Sequence, residues 1–254
     1  MQERPNLLKA AIAAGRPCVG LWCSLASALT TEVVAGSGAG WLLIDGEHSP
    51  NDLRSVMAQL QVLGGFTSEP VVRLPSDDPT LIKQAMDIGA RSLMIPNVRS
   101  ADQARAIVAA MNYAPRGFRG FSVAHRANAF GRIAGYHANA RAQQLLVAQI
   151  ECETGLANAA EIAAVDGVDV LFVGPGDLST NMGAMGNPAA EHVQKAISAV
   201  RVAAAKAGKA SGILAPVKAD ADRYLADGFT MVAVGSDLGL LARGADALIA
   251  SFNR

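Results

Sequence analysis

The sequence predicts a (β/α)8 barrel of the TIM-barrel class on three observations. Eight short apolar runs recur along 254 residues, helix-like segments separate them, and several runs end in a charged or polar residue. The runs are 17–22, 41–45, 70–74, 92–95, 145–151, 169–173, 210–214 and 230–234. They are near-continuously apolar rather than alternating, the pattern of parallel strands covered on both faces. A doubly wound open sheet is the structural rival, but it usually needs fewer strands for a chain of this size.

Between the runs, helices are expected over 50–64, 79–89, 100–112, 153–165, 188–208, 217–227 and 237–252. Ser100 and Gln103 have the spacing of a capping box, and Gly89, Gly208 and Gly228 lie just past helical patterns. The stretch 114–142, rich in Arg, Gly, Ala and Asn, is too long for an idle connection and is expected to be a site or interface loop. With no linker, repeat or low-complexity tract, residues 1–254 read as one domain.

Composition removes whole classes of function. The 22 basic residues balance 22 acidic ones, so the footprint of a nucleic-acid binder is missing. At 51% hydrophobic and 17% charged, the chain is not disordered. No apolar run is long enough to span a membrane, and the first residues lack the apolar core of a signal peptide. Cys18, Cys23 and Cys152 are odd in number and scattered, which suits core thiols in a reducing cytoplasm better than a disulfide or zinc framework.

In a barrel of this kind chemistry sits where the strands end, at the carboxyl-terminal face. The second run ends in Asp45-Gly46-Glu47-His48, the third carries Arg73, the fifth closes on Gln149-Ile150-Glu151, and the sixth leads into Gly174-Pro175-Gly176-Asp177. A charge ending a buried strand is costly unless paired or liganded, and four on one rim indicate a site. Glu151 and Asp177, at the ends of neighbouring strands, suit Mg²⁺ or Mn²⁺, which take oxygen ligands and leave positions open. The bland alternative is that each caps a helix. Asp45, three residues before His48, is placed to orient its imidazole. Arg73 is a permanent counter-charge for a carboxylate or enolate oxygen, or else one half of a salt bridge.

Other signals are weaker. Gly36-Ser37-Gly38-Ala39-Gly40 precedes a strand, whereas a dinucleotide fingerprint must follow one. Gly235-Ser236-Asp237 reads as a helix cap rather than an anion site. His125, His137 and His192 have no metal-ligand spacing. None of the six lysines lies within an expected strand, which disfavours Schiff-base catalysis, and no GxSxG elbow is present.

The segments GLWCSLAS, LLIDGEHSPNDL, PVVRLP, LIKQAMDIGARSLMIPNV, YAPRGFRGFSVAHRA, VAQIECETGL, VLFVGPGDLSTNMG and FTMVAVGSDLGLL, nearly spanning the chain, together carry a resemblance. The sequence resembles the HpcH/HpaI family of metal-dependent pyruvate aldolases, of the 4-hydroxy-2-oxoheptanedioate aldolase type known from aromatic catabolism. That resemblance implies a barrel of the phosphoenolpyruvate/pyruvate type and cleavage of 4-hydroxy-2-oxo acids to pyruvate or hydroxypyruvate and an aldehyde. It implies a divalent metal (Mg²⁺, Mn²⁺ or Co²⁺) on Glu151 and Asp177, His48 as acid/base with Asp45 beside it, and Arg73 on the oxo or enolate oxygen. It places Gln149 near metal and substrate, the backbone of Gly176 and Asp177 at the substrate carboxylate, and Arg126 near the acceptor aldehyde. Trp22, Leu214, Ala215 and Pro216 are expected to line the entrance. The family also implies a homo-hexamer, a trimer of dimers that exchange the last helix, here 237–252. The competing expectations are a malyl- or citramalyl-CoA type carbon–carbon lyase on the same scaffold, and a non-catalytic barrel that binds 2-oxo acids.

Overall fold

A computed structural model describes residues 4–252. Eight parallel strands close into a barrel in sequence order: β1 (Cys18–Cys23), β2 (Trp41–Asp45), β3 (Glu69–Arg73), β4 (Ser92–Ile95), β5 (Leu145–Ile150), β6 (Val170–Val173), β7 (Ala210–Leu214) and β8 (Met231–Ser236). Each differs by no more than two residues at either end from its expected run. The helices are α1 (Leu7–Ala13), α2 (Ala28–Ala35), α3 (Leu53–Leu63), α4 (Pro79–Asp87), α5 (Ala101–Met111), α6 (Tyr136–Gln143), α7 (Glu153–Ala157), α8 (Ala159–Ala163), α9 (Pro175–Asn181), α10 (Glu191–Lys206), α11 (Lys218–Ala226) and α12 (Asp237–Ala250).

Strand residues divide by parity, because successive side chains point to opposite faces. Trp41, Leu43, Val71, Met94, Val147 and Phe172 fill the barrel axis, while Leu42, Ile44, Val72, Leu146 and Val173 pack outward under the helices. This double cover is why the runs are continuously apolar. Two glycines make room for the axial aromatics: a Cβ on Gly20 would lie 2.3 Å from the Trp41 ring, and one on Gly212 would lie 2.4 Å from Phe172. Leu8 of α1 reaches the same axial cluster from the amino-terminal end and is 1% exposed.

Several helix ends form as expected. Ser100 Oγ accepts the Gln103 N–H at 3.1 Å, although the Gln103 side chain receives Arg99 N–H instead of closing the box. Ser236 caps α12, and Gly89, Gly208 and Gly228 take φ of +109°, +68° and +97°. Four helices went unanticipated. Helix α2 (ALTTEVVA) is rich in β-branched residues, α9 (PGDLSTN) is built from turn-forming polar ones, and α1 and α6 are short. The helix expected at 153–165 is broken at Asn158, whose side chain donates to Arg99 O at 2.7 Å.

Helix α12 departs from the usual barrel plan. Only Asp237 within it is buried; its carboxylate accepts the N–H groups of Ser24 (2.7 Å) and Leu25 (3.2 Å) and pins the start of the helix. Leu238, Leu240, Leu241, Leu248 and Ile249 are all half or more exposed. No helix among the described residues is long and apolar enough to cross a membrane.

Candidate active site

The parity that turns Leu43 and Val71 inward also turns Asp45 and Arg73 inward at the carboxyl ends of β2 and β3, where the two are register partners. Arg73 donates from Nε to Asp45 Oδ1 (2.8 Å) and from Nη2 to Oδ2 (2.7 Å), while its Nη1 lies 2.9 Å from Glu47 Oε2. Its guanidinium stands 5.5 Å from the centre of the Trp22 ring. The fork geometry of arginine permits this two-carboxylate clamp, which a lysine could not reproduce. Burial works against the Asp45 carboxylate, but the Arg73 hydrogen bonds and charge outweigh it and hold the acid below the usual range.

The turn after β2 wraps around the same acid. Asp45 Oδ1 accepts the backbone N–H of Glu47 (3.0 Å) and of His48 (3.4 Å), and Ser49 Oγ donates to Oδ2 at 3.3 Å. Gly46 N–H donates to Arg73 O at 2.8 Å, and a Cβ there would lie 2.6 Å from that oxygen, so only glycine fits this approach. The expected Asp45–His48 ring pairing does not occur. Both Asp45 oxygens are taken by Arg73 and the turn, and the His48 side chain, 66% exposed, has Nε2 3.8 Å from Glu47 Oε1 instead.

Across the mouth, Glu151 is buried just beyond β5. Its Oε1 accepts the Asn97 N–H at 2.8 Å, and its Oε2 is buried without a hydrogen-bond partner, as is Gln149 Oε1 two residues earlier. Asn97 supplies that N–H from a left-handed conformation, φ +53°, which Asn tolerates better than most residues. On β6 the following Gly174 keeps this corner open: a Cβ would lie 2.5 Å from Glu151 Oε2 and 2.8 Å from Gln149 Nε2. Asp177, exposed, lies in the first turn of α9. Burial, then the charges of Glu47 and Asp177, push Glu151 up to about 7. Burial also raises Glu47, against the pull of Arg73.

An orphaned buried carboxylate oxygen, an orphaned amide oxygen and excess negative charge fit a divalent cation. Among the described residues no group of three or more His, Cys, Asp or Glu side chains forms a metal cage. Two carboxylates with water and substrate completing the shell is nevertheless a common arrangement for Mg²⁺ or Mn²⁺. Neither Glu151 nor Asp177 serves as a side-chain helix cap: Cys152 caps α7, and α9 has no side-chain cap.

Sequence patterning does not single out Glu47, although it stands inside the DGEH stretch, or Asn97, whose signal is an Asn two residues past the last residue of β4, Ile95. Other expectations need correction. Trp22 is 6% exposed and packs edge-on against Trp41 and tilted against Phe172 at ring separations of 6.1 and 5.7 Å, so it forms the floor beneath Arg73 rather than the entrance. Leu214 is half-buried and Pro216 exposed at the end of β7. Arg126 lies away from the rim. Its guanidinium donates to Ile88 O (2.6 Å) and Leu60 O (3.4 Å), carbonyls at the carboxyl ends of α4 and α3 on the opposite face. Helix ends with free carbonyls attract such a cation, and Arg126 there borders a cavity of about 510 Å³.

A family profile described as HpcH/HpaI aldolase/citrate lyase matches residues 18–244. The chain belongs to this family. Within it, the chain is 46% identical over 250 residues to a 5-keto-4-deoxy-D-glucarate aldolase of Klebsiella pneumoniae and 47% identical to one of Escherichia fergusonii, covering 98% of each partner and of itself. Among solved structures it is similar to an HpcH/HpaI aldolase/citrate lyase family protein of Burkholderia cenocepacia. That likeness has 38% identity and a TM-score of 0.95, covering 98% of this chain and 100% of that one. It is also similar to an HpcH/HpaI aldolase of Desulfitobacterium hafniense, with 26% identity and a TM-score of 0.92 over 98% and 97% of the two chains. This HpcH/HpaI member is an aldolase, a carbon–carbon lyase, which sets aside a barrel that binds without turning over.

Proposed function

We propose that the enzyme cleaves 4-hydroxy-2-oxo acids to pyruvate and an aldehyde with a divalent cation held by Glu151 and Asp177. The observation carrying this reading is the unpartnered, buried Glu151 Oε2 facing Gln149 across the gap left by Gly174. The substrate class has chemical support. Numbered from its keto end, 5-keto-4-deoxy-glucarate, named for the relatives, has a 2-oxo group, a methylene at C3 and a hydroxyl at C4. It is itself a 4-hydroxy-2-oxo acid, and this chain is assigned a substrate of that class with a polar, carboxylate-bearing aldehyde half.

A bound cation would supply positive charge beside the carboxylate and C2 oxygen of the substrate. The chain's own residues account for the rest. His48, exposed at the mouth, accepts the C4 hydroxyl proton; the C3–C4 bond breaks, its electrons move towards the C2 oxygen, and the aldehyde is released. A proton returned to C3 completes pyruvate. Two of the five Arg73 N–H groups are donated to Asp45, and Nη1 stands 2.9 Å from Glu47 Oε2 as an ion pair without hydrogen-bond geometry, so N–H groups on Nη1 and Nη2 remain for the charge developing on that oxygen. The free N–H groups in the first turn of α9, at Gly176 and Asp177, receive the substrate carboxylate.

The test is pyruvate release from 4-hydroxy-2-oxo acids: abolished by EDTA, restored by Mn²⁺, Mg²⁺ or Co²⁺, and at least about 100-fold slower in His48→Ala. EDTA-resistant cleavage trapped by borohydride, or turnover of malyl-CoA in its place, overturns the reading. A second measurement checks the acid cluster. Glu151 in the folded, metal-free protein titrates near 7 against an ordinary 4.5, so the folded state holds the proton more tightly. The contribution of Glu151 to the stability of the chelated protein is therefore fully present below about pH 4.5 and is lost, by about 3 kcal/mol, as pH rises through 7. Urea midpoints at pH 6 and pH 8 with EDTA read the sign, and Mn²⁺ removes the loss at pH 8.

We also propose that copies of this chain assemble with α12 exchanged between them, within the hexamer expected from the family. The leucines of α12 are exposed, while Val19, Leu21 and Val234 on the outer face of β1 and β8 line an open groove of about 440 Å³, the place an eighth barrel helix usually covers. The three free thiols suit the cytoplasmic setting proposed with it.

A further inference from the structure

Behind the turn that carries Glu47 and His48, a line of polar side chains runs into the apolar seam between α2 and α3. Thr31 Oγ1, fully buried, donates to Gln59 Oε1 at 2.9 Å. Gln59, also fully buried, donates from Nε2 to Asn51 Oδ1 at 2.7 Å and to Ser55 O at 3.1 Å. Asn51 Oδ1 additionally accepts Ser55 Oγ at 2.9 Å, and Asn51 Nδ2 donates to Asp45 O at 2.7 Å. An amide and a hydroxyl in the middle of a helix seam are expensive to desolvate. A leucine at 59 and a valine at 31 would pack the seam without that cost. The polar line is fully satisfied and ends on the main chain of the acid that clamps Arg73.

We infer that Gln59 and Asn51 are positioning residues for the aldolase reaction: through the Asp45 carbonyl they fix the turn 45–51, and with it the His48 ring and the Asp45–Arg73–Glu47 clamp. This rests on the acid–base and oxyanion roles proposed above for His48 and Arg73. The physical reason is the length of lever. Among the described residues the His48 side chain makes no hydrogen bond and only a 3.8 Å approach to Glu47, so its placement depends on the turn, and the turn is tied down by Asp45 on one side and Asn51 on the other. A buried amide is a suitable anchor because its directional bonds set an angle, which apolar packing does not. Thr31 extends the line to α2, whose neighbour Thr30 Oγ1 lies 3.4 Å from Asp237 at the root of α12.

The experiment measures steady-state cleavage, pH–rate profiles and Mn²⁺ affinity for Gln59→Leu, Asn51→Ala, Thr31→Val and His48→Ala, beside Leu63→Ala as a packing change on the same helix. All are assayed well below their unfolding midpoints. Gln59→Leu and Asn51→Ala are expected to lower kcat about tenfold or more, with KM for the oxo acid changed less than about twofold. Their pH–rate limb assigned to His48 should shift, and Mn²⁺ affinity should stay unchanged, because Glu151 and Asp177 stand on other elements. Thr31→Val should give a smaller loss of the same kind, and Leu63→Ala should lower the midpoint without moving kcat. Asn51→Ala, at a half-exposed loop position, keeps the inference open to refutation if Gln59→Leu fails to fold. Wild-type kcat and pH profile in folded Gln59→Leu or Asn51→Ala would show the line to be packing only and overturn it. Equal turnover of wild type and His48→Ala would instead remove the acid–base role on which it depends.

Discussion

Arg73→Ala is expected to lower kcat/KM about 1,000-fold and to destabilise the fold by about 3–5 kcal/mol, because two separate costs arise together. The first is the loss of the N–H donors that the proposed mechanism directs at the developing oxyanion, a change worth roughly two to three orders of magnitude at comparable sites. The second is structural. Asp45 is 2% exposed and Arg73 6%, so truncation strands a buried carboxylate whose counter-charge has gone, the costly way to break a buried pair. Arg73→Lys separates the two. It keeps a positive charge and should fold with a smaller loss of stability, but an ammonium cannot donate in parallel to Asp45 and also reach Glu47 and substrate. We expect it to remain at least about 100-fold impaired. Urea denaturation with steady-state pyruvate release reads both quantities, and wild-type turnover in folded Arg73→Lys would refute the oxyanion role.

Glu151→Gln should move stability and activity in opposite directions. The glutamine keeps shape and can still accept the Asn97 N–H, while removing a buried charge that Glu47 and Asp177 repel. The metal-free variant is therefore expected to be more stable than wild type at pH 8 and to lose most of the pH dependence described above. In exchange, a neutral amide is a poor ligand for a hard cation. Mn²⁺ affinity should fall at least about 100-fold and turnover with it, the familiar opposition between stability and function at a site that concentrates like charge. Titration calorimetry with Mn²⁺, run beside thermal unfolding in EDTA, measures both. Unchanged Mn²⁺ affinity would place the cation elsewhere.

Strand positions and the inward set at the rim were legible from the chain because they depend on local rules. A parallel strand buried on two faces must be apolar throughout, and period-two alternation carries Asp45, Arg73, Gln149 and Glu151 to the axis once Trp41, Val71, Leu145 and Val147 are placed there. The same parity could have flagged Glu47, two residues beyond Asp45. Helix α9 was hidden because its residues favour turns in isolation, and tertiary placement overrode them.

What the sequence by itself determined is the barrel and the polar residue types that turn inward where its strands end, since each follows from spacing along one chain. Only the tertiary structure decided who pairs with whom. Asp45 is three residues from His48 and 28 from Arg73, yet it holds the arginine, because the β2–β3 register sets the two side by side and a bidentate fork outcompetes a ring on an exposed turn. Likewise Arg126 went to the carbonyl ends of α3 and α4, and Trp22 sank beneath the clamp. Pairing energies are settled by geometry between distant segments, and sequence spacing carries no record of it.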